Sequence, residues 1–492
     1  MLFFSRFLIG GLALATLLLG GCASPLNSTP YGEWVQNDPA SWALDASAGH
    51  HLSHTLKITE RPDHTPDVSL MDIEALVALA LERNPGLLAA ERRVERLRQR
   101  RDQVMSLDDP LLQIASLGEM AQTASGRVGF MAGVSQRFPF PGKRDAQGNA
   151  ADHMADAAQA QLAVKRLEVA TEVRRAYWSH AYARHAIKVL DDDKTLRQRL
   201  RDAAAARYRA GTASQADVLS ATVELAALEQ QQLTLNQQGH TAAARLNDLL
   251  DRPTTAPWAK PSMPKVAVFE ATTFDLQHIT PDTLLQQAAH HPRLTTLRNQ
   301  IAVYREQRRL AQLNRYPDLT VGLNYADVEN RGDSPVHNGD NQWWLSLGVH
   351  LPLWQEKRTA AEREALAGIA ETTALFTEQQ NHLAFAITDA LARVTAQQRA
   401  VILYETQMLP EAAQAIEAAA SVYRAGQGDF VTLIDNSRRQ TTLRLMHLAA
   451  QTELQKSWAD LCEALGRSPS DLATSIATSL KTNIETKKET PQ

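Results

Sequence analysis

Gln342-Trp343-Trp344-Leu345-Ser346-Leu347-Gly348-Val349-His350-Leu351 decides the fold. Trp343, Leu345, Leu347, Val349 and Leu351 alternate with Gln342, Trp344, Ser346, Gly348 and His350, and a period of two puts one set on each face of a β-strand. One face is greasy and the other small or polar. Leu319, Val321, Leu323 and Tyr325 alternate in the same way with Thr320, Gly322, Asn324 and Ala326. So do Val128, Phe130, Ala132 and Val134 with Gly129, Met131, Gly133 and Ser135, and a weaker strand covers Leu111 to Leu117. Turn-rich connections, Glu119 to Arg127 and Glu329 to Asn341, join the four strands as two hairpins. Strands of about ten residues with this pattern suit a tilted outer-membrane strand, with lipid on one side and water on the other. Trp343, Trp344, Trp354, Tyr316 and Tyr325 fall towards strand ends, where an interfacial aromatic girdle is expected.

On either side of the hairpins the period changes to that of a helix. From Asp72 onward Ala, Leu, Gln, Arg and Glu dominate, and four helical blocks stand out at roughly 72–104, 143–250, 282–314 and 356–466. Within the second, Val169, Val173, Ala176, His180, Ala183, Ile187 and Leu190 step by four and three, a coiled-coil seam in which His180 reads as a packed polar spacer. A helix from Lys143 to Tyr208 would span about 100 Å at about 1.5 Å per residue. No compact core needs that length; a tube or a stalk does.

The two halves repeat. Arg207-Tyr208-Arg209-Ala210-Gly211 returns as Val422-Tyr423-Arg424-Ala425-Gly426, and 423 minus 208 is 215. Phe138-Pro139-Phe140-Pro141-Gly142-Lys143-Arg144 returns as Leu351-Pro352-Leu353-Trp354-Gln355-Glu356-Lys357-Arg358, with 352 minus 139 being 213. Asn84-Pro85 returns as His291-Pro292, at 292 minus 85, or 207. Three landmarks in one order at nearly one offset mark a duplication. Each half runs helix, β-hairpin, long helix, turn, long helix, over residues 71–270 and 271–467. Four strands cannot close a barrel, for which about eight is the minimum. An open sheet in lipid would leave unpaired edges. Three copies supply twelve strands, enough for a water-filled lumen, and wrap three sets of long helices into a second tube. The expected architecture is therefore an α+β membrane protein: a coiled-coil α-helical barrel joined to a 12-stranded β-barrel shared by a homotrimer.

The ends and the composition fit an exported chain. Residues 1–21 read as a lipoprotein signal peptide: Arg6 gives a positive start, Phe7 to Leu19 an apolar stretch, and Leu19-Gly20-Gly21-Cys22 a lipobox. Cys22 is the expected lipidation site, and Ala23 rather than Asp after it favours the outer membrane by analogy with bacterial lipoproteins. Residues 22–70 read as an extended tether, in which His50, His51, His54 and His64 lack metal-ligand spacing. Residues 468–492 read as a disordered tail. The other of the two cysteines, Cys462, sits in an apolar pattern as a buried small hydrophobe. With 22% charged residues and a formal charge of -4, the 492-residue chain lacks the basic excess of a nucleic-acid binder. No nucleophile elbow, phosphate loop, His-Glu-x-x-His or paired metal-ligand spacing points to an enzyme, a metal site or a cofactor.

The lipobox, the duplicated helix–hairpin–helix and the two Tyr-Arg-Ala-Gly turns resemble outer-membrane efflux proteins of the TolC type, from about residue 70 to 466. The Pro139-Phe140-Pro141-Gly142-Lys143 stretch is most similar to the CzcC-like subgroup that serves heavy-metal and cation efflux pumps. The resemblance implies a trimeric exit duct that docks a periplasmic adaptor and an inner-membrane RND-type pump. It implies that Tyr208, Arg209, Ala210, Gly211 and Tyr423, Arg424, Ala425, Gly426 are adaptor-contacting tips. It also suggests Asp217 or Asp435 as acids at the periplasmic aperture, against surface ion pairs with arginines such as Arg424 or Arg438. A second acid of some relatives is Thr432 here. The alternatives are the same duct for multidrug efflux or type I protein secretion, and a pore-less lipid-anchored coiled-coil adaptor, which leaves the hairpins unexplained.

Overall fold

The computed structural model describes residues 72–116, 122–124, 126–212, 214–258, 281–330, 339–425 and 427–469. Cys22, the tether with its histidines, Gly426 and all but the first two residues of the tail lie outside them. The first helical block is three helices: α1 (Ile73–Arg83), α2 (Pro85–Arg98) and α3 (Arg100–Met105). The break after α1 is a proline effect, because the residue before Pro85 is pushed out of the helical region and Asn84 takes ψ 120°. Then follow β1 (Leu111–Ser116), a two-residue β2 (Gln122–Thr123) and β3 (Gly126–Phe138). After them come α4 (Lys143–Arg209) and α5 (Gln215–Leu249). The second half holds α6 (Pro281–Gln287), α7 (Pro292–Leu313), β4 (Asp318–Glu329) and β5 (Gln342–His350). It continues with α8 (Gln355–Leu403), a π-turn at Tyr404–Met408, α9 (Leu409–Arg424) and α10 (Phe430–Leu465). At 67 residues α4 is about 100 Å long.

Six of the seven seam positions predicted on α4 are buried: Val173, Ala183 and Leu190 fully, Val169, Ala176 and His180 nearly so, while Ile187 is half-buried. His180 Nδ1 donates to the Gly239 carbonyl of α5 at 3.1 Å. Gly239 lets the two helices approach, since a Cβ there would sit 3.3 Å from that of Ala183. A second core joins α8 to α10 through Ile387, Leu391, Val394, Leu454, Trp458 and Leu461. Cys462 lies in this core, and burial pushes its thiol up to about 12, which leaves it inert.

The duplicated landmarks make duplicated contacts. Asn84 caps α2 by accepting from Gly86 and Leu87 N–H, and its amide donates to the Leu249 carbonyl at the end of α5. His291 caps α7 by accepting from Arg293 N–H at Nδ1, and its Nε2–H donates to the Glu463 carbonyl at the end of α10. Arg144 donates to the carbonyl of Met105, which closes α3, and Arg358 to that of Asn314, which caps α7. The offset between the halves is 214 residues at Arg144 and Arg358 but 215 at Tyr208 and Tyr423. One extra residue therefore lies inside the second long helix. The π-turn at Tyr404–Met408 takes it up, next to Pro410, which has no N–H for the Thr406 carbonyl.

His291 differs from Asn84 in being able to titrate. Burial, and then the nearby Arg293 charge, lower its pKa against the hydrogen bond to Glu463. A proton on Nδ1 would remove the acceptor that caps α7. With the folded value depressed, the cap is fully present above the ordinary imidazole value and is lost as pH falls through the folded one. His291→Asn installs the first half's solution. It should keep the melting temperature at neutral pH and reduce its fall towards about pH 5, a difference on the order of 1 kcal/mol. An unchanged acid slope in thermal melts would contradict this.

The sheet runs β1-β3-β4-β5 with all pairs antiparallel, and β2 pairs only with β3. The two hairpins thus join through β3 and β4 into one four-strand surface, whose edges are β1 and β5.

Candidate channel wall and hairpin tips

The register sorts the strand residues into rows across all four strands. One row is Leu112, Val134, Leu323 and Leu345, and the next is Ile114, Ala132, Tyr325 and Trp343. Towards the helices that face continues with Gln136, Val321 and Leu347, then Phe138, Leu319 and Val349. Leu345 is 72% exposed, and Ile114, Leu347 and Trp343 are similarly bare. The opposite face reads Gln113, Gly133, Asn324, Trp344, then Leu111, Ser135, Gly322, Ser346. A bare apolar face behind a polar one is what a strand needs between lipid and water.

Two sequence expectations change here. A β-bulge between Val128 and Phe130 leaves Gly129 unpaired, so Val128 pairs with the buried Val328 and leaves the apolar face. Trp344 pairs with Asn324 and faces the polar side, so it is no part of a lipid-facing girdle. Trp343 does lie on the apolar face, its ring 4.7 Å from Tyr325. At the helical end, Tyr316 stacks on Phe140 at 4.6 Å and Trp354 is exposed.

The Pro-Phe-Pro-Gly-Lys stretch forms the strand-to-helix junction. Gly142, at φ +88°, turns the chain into α4 and brings the buried Lys143 against Asp318 at the start of β4. Lys143 Nζ donates to Asp318 Oδ1 at 2.7 Å and to the Tyr316 carbonyl at 2.9 Å. Arg137 holds the other carboxylate oxygen, and Phe140 N–H donates to Oδ1 at 2.9 Å. One carboxylate thus ties together β3, β4 and α4.

At the far end of α4, Gly211 (φ +74°) donates to the Tyr208 carbonyl and Thr212 to that of Arg207, which is a Schellman closure. Gln427 donates to the Val422 carbonyl in the same way after α9. Arg209 and Arg424 each fold back on the carbonyl four residues earlier. The equivalence ends at the tyrosines. Tyr208 is 48% exposed and Tyr423 only 8%. Tyr423 packs on Phe430, with the Arg207 guanidinium 4.7 Å above its ring, in a cluster with Leu433, Ile434, Ala204 and Ala221.

Asp217 belongs to the capping box of α5: it accepts from Ser214 N–H and Oγ, while its own N–H donates to Ser214 Oγ. Asp435 is exposed and lies 3.5 Å from Arg438. Sequence reasoning missed the larger network beside it. Glu224 accepts from Arg438 and, at 2.5 Å, from Arg197, which also pairs with Asp193 at 2.9 Å. Burial raises the Glu224 carboxyl, but Arg438 and Arg197 outweigh it and hold it below the usual carboxylate range. Glu224 and Arg438 are 214 residues apart in the chain, so only the fold brings them together. Among the described residues no group of three His, Cys, Asp or Glu side chains could hold a metal ion, and no helix is long and apolar enough to cross a membrane.

Known proteins share this design. CzcC, the cobalt-zinc-cadmium resistance protein of Cupriavidus metallidurans, is 23% identical over 411 residues, 81% of this chain and 90% of that protein. The outer-membrane channel OprN superposes with a TM-score of 0.67 at 20% identity, covering 81% of this chain and 90% of that one. The outer membrane protein VceC from Vibrio cholerae gives 0.65 at 19% identity, covering 80% and 96%. CusC, in structures concerned with folding and transmembrane channel formation, gives 0.66 at 15%, covering 83% and 98%. The profile of the outer membrane efflux proteins matches residues 76–252 and 284–467, one match in each half. With both halves matched and a sheet built to meet lipid on one face, the chain belongs to the outer membrane efflux protein family, a family of transport channels and not of enzymes.

Proposed function

We propose that three copies of this chain close a 12-stranded barrel in the outer membrane, continue it as a helical tube into the periplasm, and export heavy-metal cations. The observation that carries the duct is the four-strand sheet with a bare apolar face and two open edges. In lipid those edges must be paired, and four strands are too few to pair their own. The repeats, 71–270 and 271–467, each supply one hairpin to the wall and one helical hairpin to the tube. A periplasmic adaptor meets the Tyr208–Gly211 and Tyr423–Gly426 tips, an RND-type pump in the inner membrane supplies the energy, and a lipid on Cys22 is an auxiliary anchor. The buried Tyr423 favours Tyr208, Arg209 and Arg424 as the contacting side chains. Asp435 lies beside the Glu224–Arg438–Arg197 network near the tips, where an exposed carboxylate in each copy would favour cations.

Metal cargo is supported by the Pro139-Phe140-Pro141-Gly142-Lys143 motif and by the likeness to CzcC. Deleting the gene in a background without a redundant duct should lower tolerance to cobalt, zinc, cadmium or copper and leave growth on detergents and dyes unchanged. Wild-type metal tolerance with new sensitivity to dyes or detergents would move the cargo to drugs.

A further inference from the structure

We propose that Trp344 narrows the duct half-way up its barrel wall, three indoles forming a ring inside the barrel that sets the largest solute to pass; this rests on the duct reading above. Trp344 carries the only indole or phenyl ring on the polar face of the described strands. Around Gly322 and Gly348 that face is tight and small, while Leu111, Gln113, Met131 and Arg137 carry its longer side chains. A Cβ on Gly322 would meet Ser346 Oγ at 2.5 Å and Ser135 Cβ at 3.3 Å, and one on Gly348 would lie 3.5 Å from Thr320 Cβ. Trp344's row neighbour is Asn324, and Ser346 follows it on the same face. Neither can bury an indole, and Trp344 remains 38% exposed.

Its height on the wall follows from chain direction. β5 runs from Gln342 down to His350 and into α8, but β4 continues to Glu329, five residues past Trp344's partner Asn324, so Trp344 stands about half-way up the wall. β5 is an edge strand, and closure by the next copy repeats the ring at each subunit seam. A side chain of about 150–250 Å² in each of three positions narrows a lumen that the neighbouring positions of β3 and β4 line with Gly133, Asn324, Ser135 and Gly322. Hydrated metal ions are small enough to pass such a ring, whereas bulky organic solutes meet its π-faces and are retarded. Trp343, one residue earlier, points into the apolar face and provides an internal control.

The test uses the purified full-length oligomer in planar bilayers, with neutral polyethylene glycols of graded size added on the outer-mouth side. Trp344→Ala should raise single-channel conductance by about 1.5-fold or more and admit larger polymers. Trp344→Phe should fall between, and it serves alone if the alanine variant does not assemble. Trp343→Ala should match the wild type. A conducting wild type with unchanged conductance and polymer cut-off in both Trp344 variants would overturn the ring and leave the duct standing. A folded wild-type oligomer that can be opened yet carries no current would remove the duct itself.

Discussion

Leu345→Arg should abolish stable insertion, while Ser346→Arg one residue later should leave it intact. Leu345 is the last member of the row Leu112, Val134, Leu323, Leu345, and its side chain is almost bare in the single chain. Arginine on the lipid face of a barrel costs about 2–4 kcal/mol near the bilayer midplane, and three copies multiply that to roughly 6–12 kcal/mol per assembly. Ser346 stands on the polar face beside Gly322 and within hydrogen-bond distance of Asn324, where water receives a guanidinium. The readout is the fraction of protein recovered as folded oligomer in outer-membrane extracts. Equal recovery of the two variants would mean that the faces do not separate lipid from water.

Asp318→Ala should be the most damaging small substitution at the junction between sheet and helices. Asp318 is 6% exposed and Lys143 7%, so the variant strands a buried ammonium without its carboxylate. Breaking a buried pair in this way costs about 3–5 kcal/mol. The loss has a signature beyond size: Lys143→Met added to Asp318→Ala should recover part of it, because the uncompensated charge is gone. Denaturant midpoints of the folded protein in detergent measure both. A double variant less stable than Asp318→Ala would show that Lys143 acts through its bond to the Tyr316 carbonyl instead.

Much of this was readable in the chain because lipid and water impose a period of two. The rows of the sheet follow the alternation quoted from Gln342 to Leu351, and α4 closes at Gly211, where its turn motif predicts. Trp344 was readable too: its parity places it with Ser346 and Gly348, and only the pull of a Trp pair towards a girdle obscured that. The bulge at Gly129 left no trace, since one extra residue shifts a face without changing composition. The tyrosines of the two tips share a motif but not a fate. Phe430 covers Tyr423, whereas the residue 215 positions earlier is the polar Gln215, which leaves Tyr208 bare. Pairings such as Glu224 with Arg438 depend on how distant helices pack, and no local pattern announces them.

The central claim is that three chains share one barrel, and counting chains tests it. Native mass spectrometry of the folded oligomer released from detergent micelles should give three copies and no folded single chain. Two copies would supply only eight strands, a barrel filled by its own side chains. A stable assembly of one or two chains would therefore contradict the duct.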